Sequence, residues 1–134
     1  MSDSFTVLTV LPTSAESVYH AWLDSDEHSH FTGSPAQIDP AVGGSFTAWD
    51  GYISGVTLEL EPHHRIVQAW RTTDFPKGSP DSRLELILDE VKDGTKVTLI
   101  HTNIPDGQGD EYKQGWEDWY FAPMQVYFRP DDVS

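Results

Sequence analysis

Six histidines and five tryptophans are the side chains from which this chain could build a site, because it contains no cysteine. His101 follows Val97 and Leu99 at every second position, and the alternating run before it carries Leu84, Leu86 and Leu88. That parity puts an imidazole, both donor and acceptor, on an apolar sheet face. Two roles are open to it: a polar anchor in a mostly apolar pocket, or a core histidine paired with a carbonyl, a tyrosine or a tryptophan. Gln68 shares a parity with Ile66 and Trp70, so its strand has either a polar residue on the core face or a bulge, and Gln68 becomes a second candidate anchor. Trp70, Trp116 and Trp119 are candidate walls, each able to bury about 150 to 250 Å². With Leu86 and Leu99 beside His101, these residues form the candidate ligand-binding set.

Other chemistries find less to work with. His28-Ser29-His30 lies beside Asp24, Asp26 and Glu27, which are metal-ligand types, but no HExxH spacing accompanies them and a solvated acidic loop needs no ion. No metal site is assigned. His63-His64 follows Pro62 at a strand turn and is expected to be exposed, and the side of the first helix on which His20 falls is open. There is no GxSxG, GxGxxG or P-loop pattern, and the glycine pairs sit at turns where positive φ explains them. The reading therefore names no catalytic residue and no cofactor.

The elements that must position these residues follow from periodicity. Residues 5–11 (FTVLTVL) are β-rich and end at Pro12, which has no N–H for a ladder. Thr13-Ser14-Ala15-Glu16 has the form of a capping box, and Ala15, Val18, Tyr19 and Trp22 give the helix after it one buried face. Residues 24–40 read mostly as loop. From Gly43 the period becomes two for some 60 residues, predicting five antiparallel strands at 45–49, 52–60, 65–72, 83–91 and 96–103. The most aromatic run, QGWEDWYFAPMQVYF at 114–128, closes the chain's ordered pattern. Tyr112, Trp116, Trp119, Pro123 and Val126 recur at four, three, four and three, one stripe on a helix of 3.6 residues per turn, with Tyr120, Met124 and Tyr127 widening it. Pro123 removes the bond to the Trp119 carbonyl, so a kink is expected there. Strands in a run with helices segregated to one face make an α+β fold.

Composition bounds the function. A length of 134 residues suits one domain with one core. The 22 acidic against 8 basic residues give a net charge of −14, and no basic cluster is available to neutralise phosphates, so nucleic acid and anionic membranes are disfavoured as partners. The absence of cysteine, of a signal peptide pattern and of a long apolar run makes a cytoplasmic location the expectation.

Five stretches together resemble a known family: GGSF at 43–46, DGYISG at 50–55, IVQAWR at 66–71, FPKG at 75–78 and QGWEDWYF at 114–121. In their order and element types they are similar to the carboxyl-terminal domain of the activator of the ninety-kilodalton heat-shock chaperone's ATPase, within the START and birch-pollen-allergen-like (SRPBCC) superfamily. The resemblance spans residues 5–128 and implies a helix-grip fold, a curved antiparallel sheet wrapped around a long C-terminal helix, often with an apolar cavity between them. The eukaryotic co-chaperone also carries an amino-terminal domain for which this chain has no room. The expectation is thus a single domain over 1–134 that binds a small apolar or aromatic molecule in that cavity without catalysis. A chaperone-binding interaction module and a cyclase- or hydratase-like enzyme using His101 or a carboxylate are the alternatives.

Overall fold

The computed structural model describes residues 2–129. Seven strands, β1 (Ser2–Leu11), β2 (Gln37–Ile38), β3 (Ser45–Ala48), β4 (Ile53–Glu61), β5 (Arg65–Thr72), β6 (Ser82–Val91) and β7 (Gly94–Pro105), form one curved antiparallel sheet. Its order is β1-β7-β6-β5-β4-β3-β2, so the meander runs outwards from β7 to β2 and the first strand returns to close the other edge. Parity holds across the centre: Leu84 opposes His101, Leu86 opposes Leu99 and Leu88 opposes Val97, all buried. Arg83, Glu85 and Ile87 alternate on the partly exposed outer face. This sheet covered on one face is the α+β helix-grip architecture.

Two helices carry the chain across the sheet from β1 to β2. The first, α1 (Ala15–Leu23), is capped one residue later than the capping box suggests, by Ser14, whose hydroxyl accepts from the Ser17 N–H at 3.1 Å. Thr13 is held in a turn instead, with its N–H on the Leu11 carbonyl and its own carbonyl accepting from the Thr95 hydroxyl. The part expected of Glu16 falls to Glu90, whose carboxylate accepts the Ala15 N–H at 3.0 Å from 75 residues away. The second helix, α2 (Ser25–Thr32), occupies part of the stretch read as loop. Asp24 caps it by accepting from the Glu27 N–H, and Gly33 ends it at φ +77. Its inward residues are His28, Phe31 and Thr32, spaced as a helix requires but with two polar types among them.

The C-terminal helix covers residues 109–127 in three parts: α3 (Gly109–Gly115), a π-helical segment (Trp116–Phe121) and α4 (Ala122–Tyr127). Both ends are tied to β1. The Asp3 carboxylate accepts the Gly107 and Gly109 N–H groups at 3.0 and 2.9 Å, and the Gln125 amide donates to the Val10 carbonyl and the Thr9 hydroxyl. Only glycine fits at 109, since a Cβ there would lie 2.7 Å from Cβ of Asp3.

The π segment corrects the expected stripe. Its wider turn holds Tyr112, Trp116, Tyr120 and Met124 in line at a constant spacing of four, and all are buried. Trp119 and Val126, placed inside by a 3.6-residue period, are instead 61% and 60% exposed. The wide turn also absorbs Pro123: the Ala122 N–H bonds to the Glu117 carbonyl, five residues back, and the proline then sits in the first turn of α4, where a missing donor costs little.

Candidate functional site

A cleft of about 430 Å³ opens between the C-terminal helix and the end of the sheet formed by the β3–β4 hairpin. Trp49, Tyr52 and Ile53 at that hairpin and Trp70 on β5 form its sheet side. Tyr112, Trp116, Trp119 and Tyr120 form its helix side. The hairpin is what brings the sheet residues there. Trp49 and Asp50 are both in the left-handed region, at φ +54 and +56, ahead of Gly51 at +90. A bulky residue rarely adopts this conformation, which costs roughly 1 kcal/mol or more, and here it presents the indole to Trp119, edge to face at 6.0 Å. Glu111, exposed on α3, is the lining residue that carries a charge.

Behind the helix side of the cleft, buried polar groups are paired in two chains. The Trp116 indole N–H donates to Nδ1 of His101 at 3.1 Å. An indole only donates, so Nε2 of His101 carries the ring proton and donates to Ser82 Oγ at 2.8 Å, whose hydroxyl donates on to the Trp70 carbonyl. In the second chain the Tyr120 hydroxyl donates to Nε2 of His28 at 2.9 Å, and Nδ1–H of His28 donates to the Trp22 carbonyl. The Trp22 indole donates to Gln68 Oε1, and the Gln68 amide donates to Thr57 Oγ1, each at 3.2 Å. Burial pushes His101 down to about 3. It also pushes His28 down to about 4, partly offset by the bond to the Trp22 carbonyl.

Of the residues nominated from the sequence, Trp70, Trp116 and Trp119 line the cleft. Trp119 does so as an exposed rim rather than an inner wall. His101 and Gln68 are core residues behind it, with both ring nitrogens and both amide ends of the respective side chains engaged. Leu86 and Leu99 lie opposite one another in the completely buried centre of the sheet and do not reach the cleft. The ligand cavity expected over the Leu84, Leu86 and Leu88 face is thereby corrected to a cleft beside it, lined by none of the three. Trp116 of the C-terminal helix meets His101 on that face through its indole. Trp49, Tyr52, Tyr112, Tyr120 and Glu111 were not nominated. Two large aromatics flanking Asp50-Gly51 at a hairpin tip were the available signal.

A second cleft, more polar, lies between α1 and the β4–β5 turn, with Tyr19, His20, Glu27 and His63 among its lining residues. Here His20, Asp24 and Glu27 bring ligand atoms within 4.8 Å of one another. The pair singled out from the sequence does not gather: His28 faces the core and His30 is exposed. Asp24 already caps α2, and Glu27 accepts from the Tyr127 hydroxyl at 2.7 Å and pairs with His20 at 3.2 Å. Among the described residues no helix is long and apolar enough to cross a membrane.

The family model for Activator of Hsp90 ATPase homolog 1-like proteins matches residues 12–129. The chain is 28% identical over 116 residues to the human Activator of 90 kDa heat shock protein ATPase homolog 1, covering 87% of this chain and 34% of that protein. The Dictyostelium discoideum Activator of 90 kDa heat shock protein ATPase homolog is 28% identical over 99 residues, 74% of this chain and 26% of the relative. The chain thus spans about a third or less of the curated relatives' length. A solved structure of an HSP90 activator from Plasmodium falciparum superposes with a TM-score of 0.84 at 28% identity, covering 92% of this chain and 94% of the other. CalU16 from Micromonospora echinospora superposes with a TM-score of 0.78 at 26% identity, over 96% and 78% of the two chains. On the matched residues and the shared helix-grip fold, this chain belongs to the Activator of Hsp90 ATPase homolog 1-like family.

Proposed function

We propose that this chain is a single non-catalytic binding domain whose aromatic cleft takes a small apolar or aromatic molecule. The supporting observation is the cleft itself, about 430 Å³ walled by seven aromatic side chains, within the size range of small-molecule sites. His101, the candidate acid/base of an enzymatic alternative, has both ring nitrogens committed inside the core and faces no open volume. The test is a titration with Nile red, a neutral apolar dye, alongside native mass spectrometry of the purified protein. Saturable one-to-one binding that is lost in a Trp49→Ala, Trp119→Ala double variant is the expected result. Unsaturable binding, or binding indifferent to those substitutions, overturns it.

A second reading, chaperone interaction, is favoured by one observation: the Plasmodium falciparum structure described as an HSP90 activator matches this chain over 94% of its own length. A solved chain of about this size carries that description. Linked modules gain roughly 10² to 10⁴ in affinity from effective concentration, so this domain assayed by itself is expected to stimulate the ATPase only weakly. A steady-state assay with the chaperone from the same source decides. Several-fold stimulation that vanishes at high salt promotes this reading to first.

A further inference from the structure

Resting on the small-molecule reading of the cleft, we infer that the ligand it selects is a cation, a planar aromatic or quaternary ammonium ion of about two fused rings or fewer. Two independent features carry this. The first is the wall. Trp49, Trp70, Trp116 and Trp119 turn four indoles onto one volume, with ring centroids 6.0 Å apart between Trp49 and Trp119 and 5.5 Å apart between Trp70 and Trp116. Indole faces carry the strongest negative quadrupole of the aromatic side chains and attract a cation placed over them. The Trp116 N–H is spent on His101, and the hydroxyls of Tyr52, Tyr112 and Tyr120 on Asp74, Gln108 and His28, so these polar groups of the wall are withheld from a ligand.

The second feature is the sign of the charges around it. Glu111 lines the cleft, and no Lys or Arg is among the lining residues. Asp74 stands directly behind Tyr52, accepting its hydroxyl at 2.6 Å. The Tyr112 phenol on the same wall is held above its usual range by burial, against the hydrogen bonds from Thr72 and Tyr52 that lower it, with the charges of Asp74 and Glu111 adding to the rise. Asp50 at the hairpin tip and Asp118 beside Trp119 are acidic too, while Lys113, two residues from Glu111, is the basic residue nearby on α3. An anionic ligand would meet an acidic mouth and no counter-charge. A neutral one would gain the apolar burial alone. A cation gains both the quadrupole and the carboxylate.

The experiment compares three probes of similar shape near neutral pH: N-methylquinolinium, quinoline, which is uncharged there, and 1-naphthoate. Binding is read by calorimetry and by shifts of the indole N–H resonances in NMR. N-methylquinolinium should bind about tenfold more tightly than quinoline, with 1-naphthoate weakest. Glu111→Gln should weaken the cation several-fold and leave quinoline unchanged. Because a net charge of −14 attracts any cation, Glu16→Gln in the second cleft is the control and should have little effect. Equal affinity for cation and neutral probe, or equal losses in the two glutamate variants, overturns the charge selection while leaving the small-molecule reading intact. Failure of all three probes to shift the cleft indoles overturns that reading as well.

Discussion

One sheet face ends in two different ways under one helix. Over β6 and β7, Trp116 of the helix bonds to His101, which bonds on to Ser82 beside a buried layer of leucines, and each of these polar side chains has its partner inside the protein. Over the β3–β4 hairpin the same helix stands off, and aromatic side chains of the same kind wall an open cleft. Residue type does not separate the two regions, since both are rich in tryptophan and tyrosine. What separates them is the hairpin tip, where two consecutive left-handed residues hold Trp49 at the rim and leave the face beyond it uncovered. A buried polar anchor therefore marks the closed half of this domain, and an exposed aromatic marks the open half.

The sharpest test of that contrast pairs two tryptophans three residues apart. Trp116→Ala removes a buried indole and strands Nδ1 of His101, at about 3 to 5 kcal/mol for the truncation. Against a total of roughly 5 to 15 kcal/mol, this takes most of the stability. Trp119→Ala should lower the stability read from urea unfolding by about 0.5 kcal/mol or less, because its side chain is largely exposed. Similar losses in the two variants would erase the distinction between closed and open halves.

Acid should attack the closed half first. His101 and His28 are neutral in the folded protein, pushed down to about 3 and about 4, whereas the unfolded chain returns them to about 6.5. The unfolded chain then binds the extra protons, so their contribution is full above about pH 6.5 and drains as pH falls towards 4 and then 3. The loss is on the order of 3 kcal/mol for His28 and about 5 kcal/mol for His101. Protonating the acidic surface relieves repulsion and works the other way, which makes a falling urea midpoint between about pH 7 and 5 the more telling. A midpoint that is flat or rises over that interval would mean that the two imidazoles remain hydrated or exchange partners. A smaller effect concerns binding. His101→Phe should change Nile red affinity less than about twofold when the variant folds, while Trp49→Ala should change it several-fold; the reverse order would relocate the site to the sheet centre.

Much of this architecture is legible in the sequence, because antiparallel strands announce themselves by a period of two and by turn residues. All five strands of the meander, the first strand and the two flanking helices follow from that. β2 is two residues long and offers no period to read. α2 hides because one of its inward positions is His28, which looks like surface until Tyr120 and the Trp22 carbonyl are seen on its two nitrogens. The candidate site was half legible for a related reason. Parity tells which face of a strand is covered, and so put His101, Leu86 and Leu99 inside, while leaving Gln68, which is also buried, open between the core face and a bulge. It does not tell how far along that face the cover extends, and the boundary of the cleft is set by helix phase and hairpin geometry. The capping reassignment from Thr13 to Ser14 belongs with these, since Glu90 and Thr95 come from the far side of the fold.

The π segment can also be regarded as an ordinary helix carrying one amino acid too many. Remove one residue between Trp116 and Trp119, and the apolar positions that are now buried at 112, 116, 120 and 124 fall at intervals of four, three and four, the repeat an α-helix accommodates unaided. The surplus is what lifts Trp119 out of the packed stripe and onto the lip of the cleft. Length that contributes nothing to the core is thereby converted into reach towards a ligand, in keeping with the association of such wide turns with functional sites. Deleting Asp118, an exposed residue of this turn, should leave the fold standing at a cost of about 3 kcal/mol, because Pro123 then falls inside a regular α-helix. It should also strip the cleft of its rim, so that Nile red binding falls as far as in Trp119→Ala. If the deletion unfolds the protein, the extra residue is structural after all and the rim tryptophan is its by-product.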